Sequence, residues 1–314
     1  MPKYDKRTLS MQAQEFGFVR DTFEKVFRLS SVLNYIQRDP LLSKNLALKG
    51  GTAINLTIFN LPRLSVDIDL DYSKRTGRDE MMAQRADITD IIKRYMAAEG
   101  YEFSTKSRVY HSLDSFHFVY MNSAGIRDNV KIDLNYSLRC HVLPLEHRSI
   151  VTQGFLSEAD VLSVAPIEIF ASKIVALLSR AAARDLYDIN NMLCFRLFDE
   201  TQEDLLRKCV VFYSAIGSET VPETFDVDRI DSLTTYKIRT DLIPVIRKTE
   251  IFDLVGAQER VKSYLVKLLT PTESERSFLA AFRNKKYHPE LLFNGDMLER
   301  VKDHPMAMWK CRDR

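Results

Sequence analysis

Cysteine is scarce in this 314-residue chain: Cys140, Cys194, Cys209 and Cys311 stand far apart. None forms a CxxC pair or a Cys/His cluster, so the thiols read as reduced side chains of an intracellular protein. Glycine and proline are equally sparse, at ten each, too few for fibrous or long disordered stretches. Excess charge is lacking too, since 45 basic and 43 acidic residues leave a net +2. No bulk field therefore marks the chain for nucleic acid, and any such affinity has to come from a local basic patch. No uncharged apolar run approaches the roughly 18 residues of a membrane span. The N-terminus MPKYDKRTLS lacks the apolar stretch of a signal peptide. The expected location is the cytoplasm, with no membrane partner. His111, His117, His141 and His147 have no metal-ligand spacing. No G-x-S-x-G marks a hydrolase nucleophile, and no G-K-[ST] closes a P-loop.

What is present changes character along the chain. Phe18, Val19, Phe23, Val26, Phe27 and Leu33 recur every three or four residues and predict a helix over 14–37. Residues 46–49 are a short apolar run; Gly50-Gly51 and a helix to Phe59 follow, closed by Pro62. Residues 66–72 then alternate strictly, with Val66, Ile68, Leu70 and Tyr72 against Asp67, Asp69 and Asp71. That period of two belongs to a strand with one buried face. After a helix over 79–98, two more alternating runs appear, Phe116-x-Phe118-x-Tyr120 and Val130-x-Ile132-x-Leu134-x-Tyr136. Ser123-Ala124-Gly125 joins them as a hairpin. Beyond about residue 156 helical periodicity takes over, at 166–182, 185–197, 202–215, 226–247, 257–269 and 273–284, with no convincing strand run. The expected organisation is an α+β core over 1–156 and a helical domain over 157–314.

Asp67 and Asp69 lie two apart on one strand. Their Cβ atoms project from one face, roughly 6–7 Å apart at a rise of about 3.3 Å per residue. Carboxylates held like that repel unless a cation lies between them, and Mg²⁺ or Mn²⁺ meets the need with oxygen ligands from protein and phosphate. Asp133 occupies the same phase of its own run. If the two strands are neighbours, three carboxylates converge, as two-metal nucleotidyl transfer requires. The competing reading is the solvated face of a half-exposed sheet; Asp71, which continues the face, is read either as solvated or as a residue that supports the site without holding an ion. Lys49-Gly50-Gly51-Thr52 joins a strand-like run to a helix. Glycine there allows close backbone approach to a ligand, and the helix start offers unpaired N–H groups to an anion. An ordinary tight turn would have the same composition.

Taken together these segments resemble the AbiEii/AbiGii toxin family of polymerase-β-like nucleotidyltransferases. The resemblance rests on Lys49-Gly50-Gly51-Thr52-Ala53, then Arg63-Leu64-Ser65-Val66-Asp67-Ile68-Asp69-Leu70, then Lys131-Ile132-Asp133-Leu134. It extends through Ile167-Glu168 and Lys173 to Arg184-Asp185-Leu186-Tyr187-Asp188-Ile189. It implies a polymerase-β-like core with a mixed sheet, followed by an all-helical C-terminal domain. It implies NTP as substrate, and a toxin of a toxin–antitoxin or phage-defence system with a cognate antitoxin. In the relatives called MenT the acceptor is the 3′ end of tRNA. Residue by residue, the resemblance puts Asp67, Asp69 and Asp133 on the metals and Gly50, Gly51 and Ser65 on the triphosphate. It puts Lys173 on the phosphates and makes Asp185 an acidic site residue of unassigned role. Lys49, Thr52 and Arg63 also match, and cations beside a leaving pyrophosphate make chemical sense. Arg184-Asp185 and Tyr187-Asp188 could equally form local ion pairs or a helix cap. Arg180 is expected to reach water.

Three functions remain open at this point: transfer to tRNA, transfer to a small-molecule or protein hydroxyl, and a non-catalytic binding module. An RNA acceptor calls for a basic stripe, for which Arg127, Lys131, Arg139, Arg148, Arg283, Lys285 and Lys286 are the candidates.

Overall fold

The computed structural model describes residues 5–150 and 160–312. The expected boundary between residues 156 and 157 lies outside them. Packing divides the chain into two compact units. One comprises Met1–Arg139, Leu145–Ser163 and Val245–Glu250; the other comprises Cys140–Pro144, Val164–Pro244 and Ile251–Arg314.

The first unit opens with α1 (Lys6–Glu15) and α2 (Arg20–Arg38). They replace the single helix expected over 14–37, because Gly17 takes φ +75° between them, a conformation glycine adopts without steric cost. The rest of the unit runs α3 (Leu42–Asn45), β1 (Leu46–Lys49), α4 (Gly50–Ala53), a five-residue π-helix (Ile54–Ile58), β2 (Asp67–Tyr72) and α5 (Arg78–Ala98). Six further strands follow: β3 (Glu102–Phe103), β4 (Arg108–Val109), β5 (Leu113–Met121), β6 (Arg127–Asn135), β7 (Glu146–Ser149) and β8 (Asp160–Ser163).

All eight strands form one mixed sheet in the order β3-β5-β6-β2-β1-β8-β7, with β4 also paired to β5. β2 runs parallel to β6 and antiparallel to β1, so the strand of Asp67 and the strand of Asp133 are neighbours. The apolar phases of β2, β5 and β6 supply Ile68, Leu70, Phe116, Phe118, Ile132 and Leu134, all buried. β8 was not expected. It is four residues long, too short for a period to register, yet it pairs parallel to β1 through Leu48 and Ser163.

Among the described residues, the regular structure of the second unit is all helical. It comprises α6 (Pro166–Arg180), α7 (Ala183–Cys194), α8 (Glu200–Gly217), α9 (Thr235–Lys237), α10 (Leu254–Leu268), α11 (Glu273–Arg283), α12 (Gly295–Val301) and α13 (Pro305–Lys310). The helix expected over 226–247 is broken. A 3-10 turn (Asp228–Ser232), α9, a π-helix (Ile238–Leu242) and a second 3-10 turn (Ile243–Val245) take its place. Pro244 has no N–H to continue such a helix. α6 ends at Arg180, where Ala181 takes φ +46°, and α7 restarts two residues later.

Candidate active site

Where β1 meets α4, the chain turns at Gly50, whose φ of +67° would strain any side chain. A Cβ there would also run into the carboxylate of Asp69, meeting its carbon at 3.1 Å. Gly51 is equally crowded: a Cβ would lie 2.8 Å from Arg63 Nη2 and 3.1 Å from Ser65 Oγ. Both glycines are therefore demanded by close approach, and the groups that approach them are three of the predicted site residues. Thr52 is fully buried. Its hydroxyl donates to the Asp67 carbonyl and lies 2.9 Å from Ser65 Oγ, tying the turn to the start of β2. Asn55 Nδ2 donates to the Gly51 carbonyl at 2.7 Å. The Arg63 guanidinium is buried and donates through Nη1 to the Leu64 carbonyl at 3.0 Å.

A segment distant in sequence holds Arg63 to Ser65 in place. Arg63 forms an antiparallel bridge with Ile246, and Leu64 N donates to the Val245 carbonyl at 2.7 Å. Nothing in residues 245–250 read alone announces this.

The polar face of the sheet is set by register. Asp67 pairs with Lys131 and Asp69 with Asp133. β5 places Ser115 opposite Asp133 and His117 opposite Lys131, and β1 places Lys49 opposite Asp69. One row across four strands therefore reads Ser115, Asp133, Asp69, Lys49. The next row reads His117, Lys131, Asp67. Neighbouring strands lie about 4.8 Å apart, so Asp67, Asp69, Asp133 and Lys131 form a compact quadrilateral. Asp133 accepts from Ser115 Oγ at 2.7 Å on Oδ1 and from Lys131 Nζ at 2.6 Å on Oδ2. Burial pulls the Lys131 ammonium pKa down. The bond it donates to Asp133 and the charges of Asp133, Asp67 and Asp69 outweigh it and hold the ammonium above its ordinary range.

Two expectations change here. Asp71 is not solvated; it is buried and accepts from Lys49 Nζ at 2.5 Å. The expected alternation fails at this one position because β1 covers it with a counter-ion. Lys131 likewise does not belong to an outward basic stripe, since it faces the acids. Arg127, Arg148 and Arg283 are paired with Glu102, Glu146 and Glu223.

Ser115 was missed by sequence reading, though the signal was there. A hairpin centred on Ala124 makes paired positions equidistant from it, and that puts residue 115 opposite residue 133.

Lys173, Asp185 and Asp188 belong to the second unit and form one buried cluster. Lys173 Nζ lies 2.9 Å from Asp185 Oδ1 and 3.2 Å from Asp188 Oδ2. The early end of α6 lets Arg180 reach Asp185 Oδ2 at 2.9 Å, so Arg180 is ion-paired although its side chain is 63% exposed. Burial raises the Asp185 pKa, but Lys173 and Arg180 outweigh that and hold it below the ordinary carboxylate value.

Asp67, Asp69 and Asp133 form an all-oxygen donor set, the kind a hard divalent cation takes. The space beside Asp69 exists because position 50 carries no Cβ. Among the described residues no three acidic, histidine or cysteine side chains are gathered closely enough to hold an ion, and both oxygens of Asp133 are bonded elsewhere. The donor chemistry fits the cation, with Asp133 the member that has to be released.

Comparison with known proteins decides the family. A family profile described as nucleotidyl transferase AbiEii toxin, type IV toxin–antitoxin system, matches residues 34–284. The chain belongs to the AbiEii family. AbiEii members are nucleotidyltransferases, so the reading as a non-catalytic module falls away. Among solved structures, the chain is similar to MenT4, a nucleotidyltransferase toxin of Mycobacterium tuberculosis. The TM-score is 0.66 and the identity 17%, over 98% of this chain and 99% of that one. At that identity the likeness establishes the fold: a nucleotidyltransferase sheet followed by helices. No curated protein sequence matches the chain. Among the described residues, no helix of this AbiEii protein is long and apolar enough to cross a membrane.

Proposed function

We propose that this AbiEii protein transfers a nucleoside monophosphate from an NTP to the 3′ hydroxyl of tRNA, in the cytoplasm, as the toxin of a pair with a cognate antitoxin. The observation that carries the chemistry is the row Ser115, Asp133, Asp69, Lys49, with Gly50 packed against Asp69. With Asp67 in the next row, it brings together three acids, a cation and a turn without side chains. Asp67 and Asp69 would hold Mg²⁺ or Mn²⁺, which when bound supplies positive charge to the triphosphate. Gly50 and Gly51 offer backbone N–H groups to the phosphates, and Ser65, Thr52 and Arg63 fix that turn. Asp133 takes the proton of the acceptor hydroxyl as its oxygen attacks the α-phosphorus; the bond to the β-phosphate oxygen breaks and pyrophosphate leaves. Lys49 and Lys173 are the cations assigned to the phosphates, with Lys173 oriented by Asp185 and Asp188.

The acceptor rests on the family's kinship with MenT enzymes, so it is what the experiment has to test. The purified protein is incubated with each α-labelled NTP, Mg²⁺ and a mixture of total tRNA, cell protein and small-molecule extract. The expected result is label on tRNA, removable from its 3′ end. Label on protein or small molecules with tRNA untouched would reject the tRNA acceptor and leave nucleotidyl transfer standing.

A further inference from the structure

The quadrilateral on the sheet face holds three carboxylates and one ammonium, and that ammonium has no part in the chemistry above. We infer that Lys131 is a positioning residue that stands in for a second cation: it holds Asp133 back, so that the site takes one divalent ion on Asp67 and Asp69 and admits another only when the Lys131–Asp133 pair opens. This inference rests on the proposed reading of Asp67 and Asp69.

Several observations point the same way. Lys131 lies opposite Asp67 and two residues before Asp133 on the same face, so its ammonium enters the space among the acids. It binds Asp133 Oδ2 at 2.6 Å, and Ser115 holds the other oxygen. Asp133 thus has neither oxygen ready for an ion, although Asp67 and Asp69 are turned to the same face. The pair is only part-buried, with the side chains 30% and 19% exposed, so opening it does not strand a charge in a dry interior. Three acids this close repel one another at neutral pH, and Lys131 relieves that repulsion while the ion is absent. An arriving cation and Lys131 therefore compete for Asp133. An acceptor with its own negative phosphates would favour release by drawing the ammonium away from Asp133.

The competing role is the one first expected of Lys131, a phosphate contact for RNA. Mn²⁺ binding, read by loss of the free-ion EPR signal and by calorimetry, separates the two without recourse to activity. It is measured on the full chain as wild type, Lys131→Met, Lys131→Arg and Asp69→Asn. A unit charge acting on a divalent ion about 6 Å away under water-like screening corresponds to about ten-fold in affinity. Wild type and Lys131→Arg are expected to bind one Mn²⁺ in the range where Lys131→Met binds two, its second ion about ten-fold tighter or more. Lys131→Met that matches wild type in stoichiometry and affinity would overturn the inference, and the reading of Asp67 and Asp69 would survive. Wild-type binding that Asp69→Asn does not reduce would overturn that reading itself. Thermal melts verify folding; should Lys131→Met fail to fold, Lys131→Gln takes its place, judged by the same criterion.

Discussion

Gly50→Ala separates backbone strain from damage to the site. Gly50 sits at φ +67° and Gly100 at φ +81°. Alanine in the left-handed region costs roughly 1–2 kcal/mol at either place. For a chain of this size, at about 2.1 cal/mol/K per residue, that corresponds to a fall in Tm of about 1.5–3 °C. The two positions differ in their surroundings. A Cβ at Gly100 meets nothing within 4 Å, whereas at Gly50 it meets the Asp69 carboxylate. That carboxylate has to move by something near an ångström, which costs about 10²-fold when a reacting geometry depends on it. Calorimetric melts and NTP turnover on both variants make the comparison. Similar losses in Tm are expected, with turnover lost only in Gly50→Ala. Equal turnover in the two variants would refute the close approach of Asp69 to the turn as the reason for glycine.

Other outcomes follow from the same contacts. Ser115→Ala removes a bond to Asp133, and turnover is expected to fall about ten-fold with the KM for NTP unchanged, since one charge-assisted hydrogen bond is involved; a rise in KM alone would deny Ser115 its positioning role. Lys173→Met removes the ammonium that buried Asp185 and Asp188 share and leaves Arg180 on Asp185, so urea unfolding should show a loss of up to about 3–5 kcal/mol, partly recovered by adding Asp188→Asn. The lowered Asp185 carboxyl stabilises the fold above the ordinary carboxylate pKa, and that contribution disappears as pH falls through the lower folded value. The Tm of wild type should therefore drop more steeply below about pH 4 than that of Asp185→Asn; parallel curves would place the acid sensitivity elsewhere.

Much of the candidate site is legible in the sequence, because a strand with one buried face exposes its own period. Alternation singles out Asp67, Asp69 and Asp133 as candidates, and composition Gly50-Gly51. Whether β2 and β6 lie side by side could not be read, since parallel neighbours fifty or more residues apart leave no local trace. The same holds for the bridge from Arg63 to Ile246, which depends on a short segment, Val245–Glu250, set between two stretches of the second unit. For Asp71, alternation reports the phase of a side chain and is silent about what lies above it; of its two readings, solvated or supporting the site, the first falls because Lys49, from the next strand, covers the carboxylate. Lys131 was misjudged for a related reason. Its charge suggested an RNA surface, whereas register alone put it among acids. Arg180 reaches water as expected, but it also bonds Asp185, because α6 ends at Arg180 and the left-handed Ala181 that ends it carries no sequence mark of the kind glycine would leave.

The central claim is that Asp67, Asp69 and Asp133 carry nucleotidyl transfer. Its most direct test is the rate of label transfer from α-labelled NTP, on whatever acceptor the screen identifies, by wild type and by Asp67→Asn, Asp69→Asn and Asp133→Asn, each verified as folded by its melt. The account predicts transfer by wild type and a loss on the order of 10³-fold or more in every variant. Transfer by Asp69→Asn at the wild-type rate would contradict it.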